Sequence, residues 1–313
     1  MYPLKLKPIY DKTIWGNNKL TSARNDEGDQ FGTSWEVSAH PYCSNVIENG
    51  EYAGKTLMEL VNDHENDMLG KHDKDHVLRA AHLDAKGSLS IQVHPYDEYA
   101  IKNENDMGKT EAWYVIHADE GAKLCAGCNC SDEATVRAAI ADGTLEQHLR
   151  YVPMEAGDFI YINAGQLHAL GAGIWAIEVG TNSNITYRFY DYNRKDENGN
   201  GRPLHIEKSF DVVDLGLKTE KVVSPVKEKI IENEMKYLCD TEAFTIELHD
   251  IADEVAFDTD GKFHLVNVVD KNAEIVYNNI VVPVEFTRSV FIPASCGKYT
   301  IKGEARVLVS YIK

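Results

Sequence analysis

Alternation of polar and apolar residues is clearest over residues 88–95, which read Ser-Leu-Ser-Ile-Gln-Val-His-Pro. Successive side chains of a strand point to opposite faces. Ser88, Ser90, Gln92 and His94 therefore share one face, and the apolar residues between them share the other. A stripe of serine, glutamine and histidine is typical of the inner wall of a site and not of a core. The segment predicts a strand that carries functional side chains.

Two later segments continue this polar pattern. Lys109 and Glu111 open another predicted strand, and residues 157–168 read as a strand followed by a turn that ends at His168. In residues 184–190, alternation places Arg188 on the polar face of a further strand. A guanidinium there requires a partner, which is either an acid in a buried ion pair or a ligand.

Strand patterns also dominate the rest of the chain. Helices are expected near residues 56–67, 96–105 and 131–150, the last with Ser131 as its N-cap and a break near Gly143. After about residue 223 the pattern is almost wholly strand, and residues 290–298 echo residues 160–168 with lysine in place of His168. We therefore expect two domains, residues 1–222 with the polar strands and residues 223–313 as a second β domain that lacks the first domain's metal site.

Gln92, His94, Glu111 and His168 together suggest a metal site. Two imidazoles, a carboxylate and an amide oxygen form a nitrogen and oxygen set that a catalytic zinc ion accepts. Any one of these residues alone is more often structural. Their combination on neighbouring strands favours a single divalent ion with an open position for an oxygen-rich ligand.

The motifs around these residues resemble those of a known superfamily. Gly157, Asn163, Gly165 and His168 have the spacing of the second cupin motif, with Asn163 where proline is usual. Residues 92–94, Gln-Val-His, resemble the first cupin motif with glutamine in place of its first histidine. Gln-Val-His-Pro, followed by Lys-x-Glu, Gly-x-x-His and Asn-x-x-x-Arg, resembles the type I mannose-6-phosphate isomerases, also called phosphomannose isomerases, in their short bacterial form.

The resemblance implies a mostly β fold. We expect a cupin jelly-roll catalytic barrel with a few helices, followed by a degenerate, cupin-like C-terminal domain. It also implies interconversion of mannose 6-phosphate and fructose 6-phosphate through an enediol, with a hydride shift as the alternative route. One Zn²⁺ per chain is expected on Gln92, His94, Glu111 and His168.

The same resemblance assigns the remaining site residues. Ser90, Lys109 and Arg194 are expected to bind substrate at its phosphate, although larger relatives more often carry lysine at the position of Arg194. Arg188, beside the metal, and Lys109 are also expected to be catalytic residues. Glu178 is the candidate base, because an apolar surrounding would raise its pKa. Pairing of Glu178 with Arg188 or Lys109 is an equal alternative, and His94 or a metal-bound water are other candidate bases.

Composition narrows the possible partners and location. The chain has 313 residues and a net charge of −18, which disfavours nucleic acid and anionic membranes as partners but leaves a sugar phosphate possible in a locally positive pocket. No apolar run approaches the roughly 20 residues that a membrane span needs. The N-terminus does not resemble a signal peptide, so we expect a cytoplasmic protein. We expect it to be a monomer or a homodimer. Cys125, Cys128 and Cys130 are expected to be free thiols.

Two other functions remain open from the sequence. One is another cupin metalloenzyme that acts on a sugar phosphate, and the other is a non-catalytic sugar-binding or regulatory cupin.

Residues 193–202 are expected to form a turn beside the phosphate end of the site.

Overall fold

Antiparallel β-structure dominates the protein, as seen in a computed structural model that describes residues 1–26, 30–195 and 199–313. The described strands are, in chain order, β1 (Leu4–Lys5), β2 (Ile9–Asp11), β3 (Thr33–Val37), β4 (Ala39–His40), β5 (Cys43–Ser44), β6 (Arg79–Asp84), β7 (Ile91–Val93), β8 (Glu111–Ala118), β9 (Lys123–Cys128), β10 (Leu149–Pro153), β11 (Phe159–Ile162), β12 (His168–Ala169), β13 (Ile174–Gly180), β14 (Tyr187–Tyr190), β15 (Glu234–Asp240), β16 (Thr245–Ile251), β17 (Glu254–Asp258), β18 (His264–Asp270), β19 (Ala273–Tyr277), β20 (Ile280–Val284), β21 (Ser289–Ile292), β22 (Lys298–Lys302) and β23 (Ala305–Tyr311).

Helices are short and stand between these strands. The described helices are α1 (Lys19–Ala23), α2 (Leu57–Asp63), α3 (Glu65–Leu69), α4 (Asp97–Glu104), α5 (Glu133–Ala141) and α6 (Ile206–Val212). No helix in the described part of the chain is both long enough and apolar enough to cross a membrane.

The strands form two pairs of larger sheets. In the N-terminal pair, a six-stranded sheet has the order β11-β8-β13-β6-β3-β2 and a five-stranded sheet has the order β10-β9-β12-β7-β14. In the C-terminal pair, the orders are β1-β21-β18-β23-β16-β15 and β17-β22-β19-β20. The predicted mostly β, cupin jelly-roll fold class is confirmed.

The N-terminal six-stranded sheet is buried on both faces, and β8 illustrates why. Trp113 packs with Leu124 of β9 in the core between the two N-terminal sheets. Tyr114, on the opposite face, packs with Phe291 and Leu308 of the C-terminal sheet. Successive residues of β8 are thus buried in two different cores. The strand is therefore apolar along most of its length.

The division at residue 222 stays a prediction. Strand β1, at the other end of the sequence, pairs with β21 in the C-terminal sheet, where Leu4 lies opposite Phe291. Of the predicted turn at residues 193–202, residues 196–198 lie outside the described part of the chain.

Two helix boundaries differ from expectation. The predicted helix over residues 56–67 is interrupted at His64, which separates α2 from α3. The N-cap of α5 is Asp132 and not Ser131, because Asp132 Oδ2 accepts a hydrogen bond of 2.9 Å from Thr135 N. A carboxylate and a hydroxyl are both good N-caps, so the sequence does not separate adjacent candidates.

Candidate metal centre

The five-stranded sheet aligns three of the predicted site residues in one row. Gln92 of β7 lies directly opposite His168 of β12 on one side and Arg188 of β14 on the other. Opposed residues of antiparallel strands project to the same face, and His94 shares that face because it follows Gln92 by two positions. Register therefore brings Gln92, His94, His168 and Arg188 to one wall.

Glu111 completes a group that can hold a metal ion from the facing sheet. The nearest ligand atoms of His94, Glu111 and His168 all lie within 4.8 Å of one another, and all three side chains are fully buried. His168 Nε2 lies 3.2 Å from Glu111 Oε1, and His94 Nε2 lies 3.6 Å from Glu111 Oε2. Two nitrogens and a carboxylate at this spacing suit a divalent transition metal.

Backbone carbonyls fix the orientation of both imidazoles. His94 Nδ1 donates to Ile185 O at 2.7 Å, and His168 Nδ1 donates to Gln166 O at 2.8 Å. A proton on each Nδ1 leaves each neutral ring with its Nε2 lone pair toward the centre, which is the usual second-shell arrangement of metal-binding histidines. Burial, reinforced by Lys109, lowers the pKa of His94 to about 4 and so favours the neutral, ligating form.

A tight turn places His168. Gly165 has a φ of 79°, which favours glycine, and a Cβ there would lie 2.3 Å from Tyr96 Oη, so a larger residue would also displace the Tyr96 side chain. Gly165 N donates to His94 O at 2.8 Å. The turn that leads to His168 is thus tied to the backbone of His94.

Glu111 provides the clearest sign that the group is incomplete. Within the described residues, neither of its two buried carboxylate oxygens has a hydrogen bond of acceptable geometry. Lys109 and His94 hold the pKa of Glu111 well below its ordinary value against the opposing effect of burial. Gln92 is also buried on this wall, and its side chain has no hydrogen-bond partner in the part of the chain that the structure describes. A bound cation would satisfy these oxygens.

Lys109 links Glu111 to Glu178. Its Nζ lies 2.6 Å from Glu111 Oε2 and 2.9 Å from Glu178 Oε1. Burial opposes the charge of Lys109, but the two carboxylates raise its pKa above the ordinary value. The second oxygen of Glu178 accepts a hydrogen bond of 3.1 Å from Trp113 Nε1. The expected alternative pairing of Glu178 with Lys109 is therefore present, and Lys109 Nζ is not a free cation.

Glu178 is held in a setting that favours proton uptake. Burial and the charge of Glu111 raise its pKa, against the opposing effects of Lys109 and Trp113. Its pairing opposite Trp113 puts it on the same face of the sheet as Glu111. A buried carboxylate with a raised pKa beside a metal group is a candidate acid or base.

Three arginines lie near the carboxylate of Asp191, at the end of the wall where Ser88 begins the polar stripe. Arg194 and Arg202 both bind Asp191, and Arg194 Nη1 also donates to Ser88 O at 2.6 Å. Arg188 Nη1 donates to Pro203 O at 2.8 Å. Burial and the charges of Arg202 and Arg194 lower the pKa of Arg188, and Asp191 opposes them.

Three cations and one acid leave this region positive within an acidic protein, as a phosphate site requires.

Sequence reasoning missed Asp191 and Arg202. The signal available for Asp191 was its place between Arg188 and Arg194, and Arg202 follows closely in sequence. Ser90 is buried on the strand that carries Gln92, and no hydrogen bond to its hydroxyl is present among the described residues.

Cys125 projects from the opposite face of the five-stranded sheet, because it pairs with Ala169 and not with His168. Cys125 and Cys128 are buried on β9 as free thiols. Burial raises the pKa of Cys125 to about 12, and Cys128 Sγ donates to His148 O. Protonated thiols are poor metal ligands.

Comparison with known proteins gives the following relationships. The model of the phosphomannose isomerase type I catalytic domain matches residues 4–115, and that of the mannose-6-phosphate isomerase cupin domain matches residues 233–312. The Bacillus subtilis protein named Probable mannose-6-phosphate isomerase GmuF is 34% identical over 313 residues, 99% of each chain. Mannose-6-phosphate isomerase of Streptococcus mutans is 33% identical, over 99% of this chain and 98% of its own. The crystal structure of mannose 6-phosphate isomerase from Bacillus subtilis superposes with a TM-score of 0.89 at 32% identity, covering all of both chains.

Proposed function

We infer from its membership of the type I phosphomannose isomerase family that the chain is a mannose-6-phosphate isomerase, which interconverts mannose 6-phosphate and fructose 6-phosphate. The single observation that carries the inference in the structure is the buried group of His94, Glu111 and His168. Neither carboxylate oxygen of Glu111 has a hydrogen bond of acceptable geometry among the described residues, although Lys109 Nζ lies 2.6 Å from Oε2. Lys109 also links Glu178 to the group.

We propose that the metal is Zn²⁺, one per chain, held by His94, His168, Glu111 and the amide oxygen of Gln92. The donor set fits, because two neutral imidazoles and two oxygen donors are ligands that catalytic zinc accepts. When bound, zinc supplies positive charge that stabilises the oxygens of the sugar as negative charge develops on them.

The proton transfer is assigned to Glu178. Isomerisation breaks the C2–H bond of mannose 6-phosphate and forms a C–H bond at C1, while a hydroxyl proton moves from the oxygen on C2 to the oxygen on C1. Glu178 takes the proton from C2 and returns it to C1 through an enediol, and its raised pKa favours the uptake. Lys109 and Trp113 hold both oxygens of Glu178 in place.

Binding of the phosphate is assigned to the arginine-rich end of the wall. Arg194 and Ser90 remain the proposed contacts, and Arg202 is added because it shares Asp191 with Arg194. Arg188, opposite Gln92, is proposed to contact the reacting oxygens. Lys109 is proposed to reach substrate from its position between two carboxylates. A phosphate held at one end fixes the sugar chain against Glu178 at the other.

The proposed substrate also bears on location. A doubly charged sugar phosphate does not cross an apolar membrane, and six free cysteines suit a reducing compartment. We therefore propose that the enzyme works in the cytoplasm, as a monomer or homodimer.

The test is turnover of mannose 6-phosphate by the purified protein in three states: as isolated, after chelation, and after zinc is restored. Metal content is measured on each sample. Activity that disappears with the metal and returns with zinc supports the proposal. Absence of turnover with zinc bound would contradict it and favour a sugar-binding cupin, whereas recovery with another metal alone would change only the assigned ion.

A further inference from the structure

Arg79 is a buried arginine with unpaired donors in the wall of the isomerase site. Its side chain is on β6, and the residue is 4% exposed. Within the described residues, its Nε and Nη2 atoms have no hydrogen-bond partner. Buried N–H groups are satisfied in the great majority of cases, and a guanidinium offers five donors. Arg79 therefore resembles a group that awaits a partner.

Register places Arg79 on the same face as the metal ligand Glu111. Arg79 lies opposite Gly180 of β13, and Gly180 in turn lies opposite Glu111 of β8. Because Gly180 has no side chain, β13 places no side chain between Arg79 and Glu111 in this row. In the next row, Glu178 lies opposite Ala81, which is also small. On its β6 side Glu178 thus has a small neighbour, and Arg79 lies in the adjacent row of the same face.

Other buried arginines of the protein have a carboxylate, which Arg79 lacks. Arg24 pairs with Glu36 at 2.9 Å, and Arg306 pairs with Asp250 at 2.6 Å. In the described part of the chain, no carboxylate lies within ion-pair distance of Arg79. Its guanidinium is instead 4.1 Å from the ring centroid of Trp35, and its Nη1 donates to Ser183 O at 2.6 Å.

An uncompensated buried charge is costly and is usually found where it serves a ligand. The thiol of Cys43 lies within hydrogen-bond reach of the guanidinium, and the carboxylates of Glu178 and Asp106 act on it at longer range. None of them neutralises it in a close pair. Stacking on Trp35 holds the guanidinium in place. This long side chain is therefore already ordered before substrate binds.

We propose that Arg79 is a substrate-binding residue of the isomerase. Its Nε and Nη2 groups donate to hydroxyl oxygens of the open-chain sugar beside Glu178. This inference rests on the proposed function, and it concerns the sugar end of the substrate. The phosphate end is served by the arginines around Asp191, which belong to the opposite sheet and the segment that follows it.

The competing explanation is that Arg79 only anchors the loop at Ser183. The variant Arg79→Lys separates the two, because an ammonium keeps the charge and can still donate to Ser183 O but does not provide the Nε and Nη2 donors. We expect the KM for mannose 6-phosphate to rise about tenfold or more in Arg79→Lys, with zinc content and melting temperature close to those of the wild type.

The matched control is Arg306→Lys, which alters a buried arginine of the C-terminal six-stranded sheet that is paired with Asp250. It is expected to lower the melting temperature and to leave KM within twofold. A KM within twofold of the wild type in Arg79→Lys overturns the proposal. If Arg79→Lys does not fold, Arg79→Gln is measured against the same criterion. Wild-type protein is assayed first: no turnover contradicts the proposed function itself, whereas wild-type turnover with an unchanged variant contradicts only the role of Arg79.

Discussion

The Nε2 atoms of His94 and His168 lie 3.1 Å apart, and neither ring has a proton to place between them in its neutral form. Both Nδ1 atoms donate to backbone carbonyls, so both Nε2 atoms carry lone pairs. Two acceptors at this distance repel one another, and Glu111 adds negative charge beside them. A cation at the centre removes the conflict, which is why we expect metal affinity and stability to be coupled.

Substitution of one ligand should abolish metal binding at the centre. His168→Ala removes one of the two imidazoles, and we expect zinc content to fall well below one per chain. The kcat/KM for mannose 6-phosphate should fall about a thousandfold or more, because stabilisation of developing charge is lost. Metal analysis and turnover of the same samples test this.

The matched control is His249→Gln, which alters a histidine that is paired with Glu247 in the C-terminal sheets. It should keep its zinc and its activity. Full zinc content in His168→Ala would contradict the assigned ligand set.

Replacing Glu178 by glutamine should separate catalysis from metal binding. The amide can still accept the hydrogen bond from Trp113, but it cannot take up a proton. We expect kcat to fall by about 10²–10⁴, the usual contribution of a general base, with zinc content unchanged. Glu247→Gln, which alters a partly buried carboxylate that pairs with His249 outside the site, serves as the control. A kcat near that of the wild type would remove Glu178 from the role of base.

The enediol route predicts exchange with solvent. When mannose 6-phosphate is converted in deuterium oxide, the proton on Glu178 can exchange before it returns to carbon. We expect deuterium at C1 of fructose 6-phosphate, measured by NMR or mass spectrometry. Complete absence of label in the product would instead support a hydride shift between the two carbons.

Arg194→Ala should affect recognition of the phosphate selectively. Its guanidinium lies at the arginine-rich end of the wall, bound to Asp191 and Ser88 O. We expect the KM for mannose 6-phosphate to rise at least tenfold, while the rate measured with unphosphorylated mannose at high concentration changes little. Arg137→Ala, at an exposed arginine that pairs with Glu133, is the control. Equal loss with both sugars would argue against a phosphate contact.

The buried group of His94, Glu111 and His168 was predictable because its residues follow strand periodicity. Alternation alone put Gln92 and His94 on one face, and the turn before His168 could be recognised from its glycines. The close approach of His94, Glu111 and His168 agrees with that expectation. The fold class was predictable for the same reason, since β patterns dominate the chain.

Two kinds of contact were not predictable, because they depend on loop conformation or on the register between strands distant in sequence. The bidentate contact of Arg202 with Asp191 joins residues on either side of a turn, and no periodic pattern marks it. The row from Arg79 through Gly180 to Glu111 likewise depends on how three strands align. Such contacts distinguish a paired cation from one that is left for a ligand.

A histidine outside the site should make stability depend on pH. His82 Nε2 donates to Thr287 O at 2.8 Å, and its Nδ1 accepts from Trp175 Nε1 at 3.2 Å. The neutral ring thus uses both nitrogens. Burial lowers the pKa of His82 to about 4, while Glu36 and Arg24 act in opposite directions.

The sign of this effect follows from proton binding. In the unfolded chain the pKa of His82 is near the ordinary 6.5, so the unfolded state binds more protons between pH 6.5 and 4. Stability is therefore fully present above pH 6.5 and falls as the pH decreases toward 4. Between pH 7.5 and pH 5 the loss from this group is about 2 kcal/mol. In His82→Gln, whose amide can both donate and accept, urea unfolding should show a pH dependence smaller by about that amount. An identical dependence in the variant and the wild type would show that His82 titrates normally in the folded state.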